Sequence, residues 1–436
     1  MVILRSIVSC MLVSMLIACG GETPRPKRIV LITLDTLRWD AFEGRAGRFF
    51  DMPLTARWAE QGRVFERHYS TASSTQPTHV TLLTGQHPWE HGITRNGLVL
   101  GDAIETIPEK LQGKGFRTAA VVASFPLHEI FGFAQGFDQF VDDFQHDFMQ
   151  MEAWSGTSVP DKKFYAQGDF VTRNALQLLD ASDGRDEFIW LHYFDPHAPY
   201  GKTQSESMAV KDIVNRIAKN PERSGQIVEQ ARRLYDADVQ FMDRELDRVL
   251  KRLKQDENEY ETHIFVTADH GESFGESGVL AHGSRLSEEQ IHVPLIVYSP
   301  LVEPGIDERS TGSIDVGKAI LSIAGLSDGL HPVLLDSTTE SPGVFGMRHS
   351  SDRRPPERRT DGRMVRPEAR LFYWINGHRI VRGDSKLIHD KASSPQEIMA
   401  LKSTFSAFEQ HLDAQSPEEI QEIEAIEALR GLGYLR

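Results

Sequence analysis

Five short runs of almost unbroken apolar residues limit what this chain can become. They cover residues 28–34, 117–123, 188–194, 262–267 and 292–298. Each has strand length, and none alternates apolar with polar. That is the pattern of a strand covered on both faces, as in a parallel sheet. Stretches with helical spacing fall between them, 107–111, 164–180 (Phe170, Ala175, Leu178, Leu179) and 226–253, and one more, 316–324, follows the last. In 226–253 an apolar stripe of Val239, Met242, Leu246, Val249, Leu250 and Leu253 opposes a charged face, which reads as solvated. Strands alternating with helices predict an α/β fold, with a mostly parallel central sheet and helices on both faces.

Three of the runs end in acids or histidines. Asp35 follows the first, Asp195 and His197 the third, and Asp269 and His270 the fourth, while a Gly-rich loop adds His282. The carboxyl ends of parallel strands are where α/β folds gather ligands. Asp35 alone could serve as a helix cap, and His192, inside its strand, reads as a packed residue. Taken together, these groups predict a metal centre at one edge of the sheet. Carboxylate and imidazole without sulfur suit Zn²⁺ or Mn²⁺ better than an oxygen-only Ca²⁺ cage. Two such ions about 4 Å apart could clamp the attacking and leaving oxygens of a displacement.

The stretch Thr75-Gln76-Pro77-Thr78-His79 supplies the nucleophile for such a centre. Pro77 suits a turn, and Val80, Leu82 and Leu83 then open a buried helix. A hydroxyl at a helix start meets backbone N–H groups where an anion is welcome. Threonine is a feeble nucleophile by itself and needs a metal to activate it. The plainer alternative is a Thr-rich loop leading into a core helix. With the ligands above, the pattern points to transfer of a tetrahedral anionic group, phosphoryl or sulfuryl.

Charge and termini narrow the class further. The 436 residues carry 48 Lys and Arg against 63 Asp and Glu, a formal charge of −15, which disfavours nucleic acid as a partner. Residues 1–18 have the form of a signal peptide: Arg5, then an apolar run too short to span a bilayer comfortably. Leu16-Ile17-Ala18-Cys19 has the pattern of a bacterial lipobox, so we expect lipid on Cys19 and a tether over 19–27. That implies a lipid-anchored protein of the bacterial cell envelope, periplasmic or on the outer membrane. Cys10 lies inside the signal, so the mature chain would hold Cys19 alone, with no internal disulfide and no catalytic thiol. A catalytic domain is expected over 28–340, a polar Arg-rich linker over 341–370, and a small antiparallel C-terminal lobe with an acidic helix and tail over 371–436.

Four motifs in order carry a family resemblance. Leu34-Asp35-Thr36-Leu37-Arg38, the Thr75 stretch, Phe194-Asp195-Pro196-His197-Ala198-Pro199-Tyr200, and Ala268-Asp269-His270-Gly271-Glu272 through Ala281-His282-Gly283 to Val293-Pro294-Leu295 resemble the sulfatase family of the alkaline phosphatase superfamily. The resemblance runs from about residue 28 to about residue 326 and implies an alkaline-phosphatase-like sheet. Sulfatases place a formylglycine precursor, Cys or Ser, where this chain has Thr75. Thr-x-Pro-x-His with Thr84-Gly85, His91-Gly92-Ile93 and Asn96 instead resembles the nucleotide pyrophosphatase/phosphodiesterase branch. Phosphoglycerol and phosphoethanolamine transferases also use a metal-bound Thr.

Carried over residue by residue, the resemblance implies one metal on Asp35, Thr75, Asp269 and His270, and a second on Asp195 and His282. Zn is the expected ion, one or two per chain, with Mn or Ca as alternatives. Asn96 would donate to the transferred group, or else be a turn residue before Gly97. His79 would orient the nucleophile loop, and His197 would bind metal or substrate. The implied enzyme is a metal-dependent hydrolase of small-molecule, glycan-linked or lipid-linked phosphate or sulfate esters, with a covalent Thr75 intermediate. A phosphotransferase and a catalytically inactive binding lipoprotein are the alternatives.

Overall fold

The computed structural model describes residues 24–41, 52–144, 164–202, 205–276, 278–283, 285–327, 332–339 and 341, and the strands 344–349, 357–358, 364–365, 370–376, 378–383 and 387–389. The expected signal peptide, the expected lipid site Cys19, and the acidic helix and tail expected at the C-terminus lie outside these residues. Eight strands form the main sheet: β1 (Lys27–Leu34), β2 (Arg63–Tyr69), β3 (Arg117–Val121), β4 (Gln139–Val141), β5 (Glu187–Tyr193), β6 (Glu261–Thr267), β9 (Leu295–Tyr298) and β10 (Gly305–Gly312). A ribbon of β7 (Ser273–Phe274) and β8 (Leu280–Ala281) lies between β6 and β9 in the chain.

The strand order is β10-β2-β9-β6-β1-β5-β3-β4, and every pairing is parallel except the two made by β9. The connection 268–294 re-enters the sheet at the end where β6 left it, so β9 runs the other way. The sheet is thus mostly parallel, as the apolar runs predict. The last run yields a strand only from Leu295 onward. Pro294 cannot donate to a ladder, and the Val293 N–H is spent on the His68 carbonyl, 3.1 Å away.

Alternation along the strands builds two cores. Val30, Ile32 and Leu34 of β1, with Ile189, Leu191 and Tyr193 of β5, face the helices Gly168–Asp180 and Ser224–Gln255. Ile29, Leu31, Phe188, Trp190 and Phe265 face the helices Thr75–Thr84, Ile107–Gly113 and Ser313–Ile323. Helices therefore cover both faces. At the amino ends of the strands the buried Arg28 pairs with Glu187 and with Asp256 at 2.6 Å, its guanidinium 3.8 Å from the centre of the Tyr260 ring. No helix of the described residues is long and apolar enough to cross a membrane.

The central register fixes the functional edge. Thr33 of β1 stands opposite His192 of β5 and Thr267 of β6, so Asp35, Asp195 and Asp269 emerge side by side. Asp195 also starts the helix behind it: its Oδ1 accepts the Gly168 N–H at 2.9 Å. A Cβ on Gly168 would lie 2.8 Å from Asp195 Oδ2 and 3.1 Å from Tyr193 Cδ1. Gly168→Ala should therefore destabilise the fold by about 1–3 kcal/mol, read as a lower urea midpoint. A midpoint equal to wild type would show that Asp195 can step aside.

A smaller antiparallel sheet joins Val344–His349, Arg370–Asn376, His378–Gly383 and Leu387–His389 in that order. Its first strand lies in the stretch read from sequence as polar linker, where Val344 and Met347 are buried. The Met347 N–H donates to the Thr71 carbonyl at 2.8 Å, tying this sheet to the loop before Thr75.

Candidate active site

Asp35 follows β1 directly, and its N–H donates to the Tyr193 carbonyl at 2.8 Å, holding it at the sheet edge. Asp269 Oδ1 accepts the N–H groups of His270 at 2.8 Å and of Thr36 at 3.2 Å. Thr36 reaches this position with a left-handed φ of 56°. Asp35, Asp269 and His270 each bring one ligand atom within 4.8 Å of the others, all fully buried. His270 Nδ1 donates to the Gly271 carbonyl at 3.0 Å, so Nε2 carries the lone pair that a metal would take.

These residues fit a divalent cation. Both carboxylate oxygens of Asp35 and Oδ2 of Asp269 are buried without a hydrogen-bond partner. A buried, unmatched carboxylate is costly unless a charge faces it. Burial pushes Asp35 up to about 7, only partly opposed by His270, and burial likewise raises Asp195 and Glu272 to about 7. A bound cation would reverse that penalty. Nitrogen beside two carboxylates suits a transition metal.

Thr75 opens the helix Thr75–Thr84, whose residues are all buried and which ends at Gly85 with φ 68°. Pro77 falls in the first turn, where its missing N–H leaves no intrahelical bond unmade. The Thr75 hydroxyl lies 3.5 Å from His270 Nε2 and thus borders the ligand group. Behind it runs a hydrogen-bond chain with only one consistent direction. His79 Nδ1 meets the Thr75 carbonyl at 2.9 Å and must donate to it. Nε2 then accepts from Thr33 Oγ1 at 3.0 Å, and that oxygen accepts the Trp190 indole N–H at 3.1 Å. Burial holds His79 neutral, down near 3, which this chain requires. His79 thus ties the Thr75 turn to β1 and β5, with Asp269 Oδ2 3.8 Å from its Nδ1.

Other expected residues are divided between this centre and its surroundings. Asn96 Oδ1 accepts the Gln76 N–H at 2.8 Å, placing Asn96 beside the Thr75 turn. His282 and His270 have ring centres 4.3 Å apart, and His282 and His197 4.9 Å apart. His282 Nδ1 lies 3.1 Å from Glu272 Oε1. His197 donates from Nδ1 to the Ala198 carbonyl at 2.6 Å and stacks on Phe194. Among the described residues, Asp35, Asp269 and His270 form the one group of three candidate ligands, and Asp195 and His282 stand outside it. Asp195 instead spends one oxygen on the start of the helix Gly168–Asp180.

Sequence reasoning passed over three neighbours. His192 accepts the Ala123 N–H at Nδ1, which leaves its proton on Nε2, 3.3 Å from Asp35 Oδ2. Glu272 backs His282, and Gln76 braces the Asn96 loop. Only the cross-strand register with Thr33 could have drawn His192 out of an apolar run, and register is not visible in one sequence.

Comparison with known proteins gives four findings. A family model described as Sulfatase matches residues 27–326. An N-acetylglucosamine-6-O-sulfatase of Bacteroides thetaiotaomicron is 28% identical over 181 residues, 40% of this chain and 31% of that protein. A phosphoethanolamine transferase of Salmonella typhimurium is 36% identical over 73 residues, 16% of this chain and 13% of that protein. In fold, the chain is similar to a phosphonate monoester hydrolase from Silicibacter pomeroyi with a TM-score of 0.62 at 18% identity, covering 91% of this chain and 97% of the other.

Proposed function

We propose, for a chain that belongs to the sulfatase family, a phosphate-ester hydrolase that works through Thr75. Membership of the family rests on the Sulfatase model over residues 27–326, and hydrolysis of a sulfate or phosphate ester is the activity it supports. The observation that carries the finer reading is a threonine hydroxyl, not a formylglycine precursor, 3.5 Å from a buried Asp35–Asp269–His270 group. A divalent cation on Asp35, Asp269 and His270 would supply the positive charge that makes the Thr75 hydroxyl acidic enough to attack.

The chain's own residues do the rest. His79, fixed by Thr33 and Trp190, sets the turn that presents Oγ1. Thr75 Oγ1 gives up its proton to solvent as it bonds to phosphorus, and the bond to the departing ester oxygen breaks on the opposite side, that oxygen taking up a proton from solvent. The Asn96 amide donates to a non-bridging oxygen as charge builds on it. Water then attacks phosphorus, the Oγ1–P bond breaks, and Thr75 regains its proton. His197 and His282 border the same space; burial holds His197 neutral, and both imidazoles are suited to the substrate's polar groups.

An assay on matched aryl phosphate diester, phosphate monoester and sulfate ester, with metal content determined in parallel, tests this. Turnover is expected to be fastest on a phosphate ester, the diester first, with zinc or manganese bound. Turnover of the sulfate ester alone would overturn the argument from Thr75. A second reading is favoured by the 36% identity to a phosphoethanolamine transferase: an alcohol would take the place of water in the second step. Slow turnover of the diester that accelerates on adding an alcohol acceptor would select it.

A further inference from the structure

Gln76, directly after the nucleophile, is fully buried and makes three hydrogen bonds to distant segments. Its N–H donates to Asn96 Oδ1 at 2.8 Å, its Nε2 donates to the Pro126 carbonyl at 2.7 Å, and its Oε1 accepts the Gly97 N–H at 2.6 Å. Both amide orientations are thereby fixed. A backbone N–H can only donate, so it faces Oδ1 of Asn96 and Oε1 of Gln76; the Pro126 carbonyl can only accept, so it faces Nε2. Asn96 is 4% exposed, and its Nδ2 is a buried donor without a partner. A buried orphan donor beside a nucleophile is costly in the resting protein. It is repaid when an anionic oxygen arrives. Gly97, at φ 90°, lets the chain turn so that Gln76 clamps it immediately after Asn96.

We propose that Gln76 is a positioning residue that acts through Asn96, clamping residues 96–97 so that the Asn96 Nδ2 donor faces the oxygen of the group transferred to Thr75. The inference rests on the Thr75 reading above and adds to it the device that aims the donor. Swapping the Asn96 amide end for end would set its NH₂ against the Gln76 N–H, donor to donor, so the clamp also selects the orientation.

The test is a double-mutant cycle on the aryl ester the wild-type enzyme turns over best. Asn96→Ala is expected to lower kcat by about 10²-fold with KM little changed. Gln76→Ala is expected to lower kcat by about tenfold, the usual effect of a residue that orients a site group, again with KM little changed. The double variant should match Asn96→Ala alone, because Gln76 has nothing left to aim. Gln76→Glu keeps the acceptor for Gly97 and loses the donor to Pro126; it should fall between wild type and Gln76→Ala, and it serves if the alanine variant does not fold. Wild-type kcat in Asn96→Ala would overturn the donor role of Asn96, and with it the inference, while the Thr75 reading is decided separately by Thr75→Ala. A slow Asn96→Ala beside wild-type kcat in the Gln76 variants, or multiplicative losses in the double variant, would overturn the inference alone.

Discussion

Thr75→Ala is expected to lower kcat by at least about 10³-fold, some 4 kcal/mol of transition-state stabilisation, with the fold unchanged. The substitution removes Oγ1 and a methyl from a buried helix start. The contacts that set the turn survive, because His79 bonds the Thr75 carbonyl and Asn96 Oδ1 accepts from the Gln76 main-chain N–H, neither using the Thr75 side chain. The loss should therefore appear in kcat, with little change in melting temperature. Thr75→Ser keeps the hydroxyl and should keep most of the activity. Intact-mass analysis of acid-quenched wild-type enzyme during turnover should show a phosphoryl adduct that Thr75→Ala lacks. If Thr75→Ala turns over substrate at the wild-type rate, Thr75 is not the nucleophile.

Why so much of this site can be read from one sequence has a physical basis. Strands buried on both faces admit little but apolar residues, so β1, β3, β5 and β6 stand out as runs, and the polar residue that ends each run marks the sheet edge. Asp35, Asp195, Asp269 and His270 were visible for that reason. The elements that stayed hidden are those whose environment is mixed. β2 (Arg63–Tyr69) is only half-buried, with Arg63, Glu66 and Arg67 each partly exposed. β10 carries Asp307, Glu308 and Arg309 at an edge, where charge discourages further pairing. β4 has three residues, too few for any period to show.

Roles, unlike positions, depend on partners that spacing does not reveal. Asp195 ends its run just as Asp269 does, yet one of its oxygens caps the helix at Gly168, while Asp269 holds Thr36 and His270. Asn96 has the form of a turn residue before Gly97 and is one. Only the Gln76 N–H, 20 residues away in sequence, shows that its amide also has an aimed and unspent donor. His79 is fully buried, as a packed histidine would be. The tautomer forced by the Thr75 carbonyl and the Thr33 hydroxyl is what makes it a brace.

Asp269→Asn is expected to abolish stoichiometric metal binding and, with it, activity. In a group of two carboxylates and one imidazole, one carboxylate is a large share of the attraction for a dication. Loss of its charge should weaken binding by well over the roughly 10–100-fold typical of outer-shell partners. Asparagine keeps Oδ1 to accept from Thr36 and His270, so the loop is retained and the effect is on affinity. Metal that binds only the folded state stabilises it by about 2.7 kcal/mol at 100 times Kd. A chelator should therefore lower the melting temperature of the wild-type protein and leave that of Asp269→Asn where it was. The pH dependence has a definite sign. The metal needs Asp35 ionised, and burial holds Asp35 near 7 in the bare site, so binding should weaken as pH falls below about 7 and level off above it. Titration calorimetry with Zn²⁺ at several pH values reads both effects. Full metal occupancy in Asp269→Asn at wild-type affinity would mean that the cation sits elsewhere in the chain.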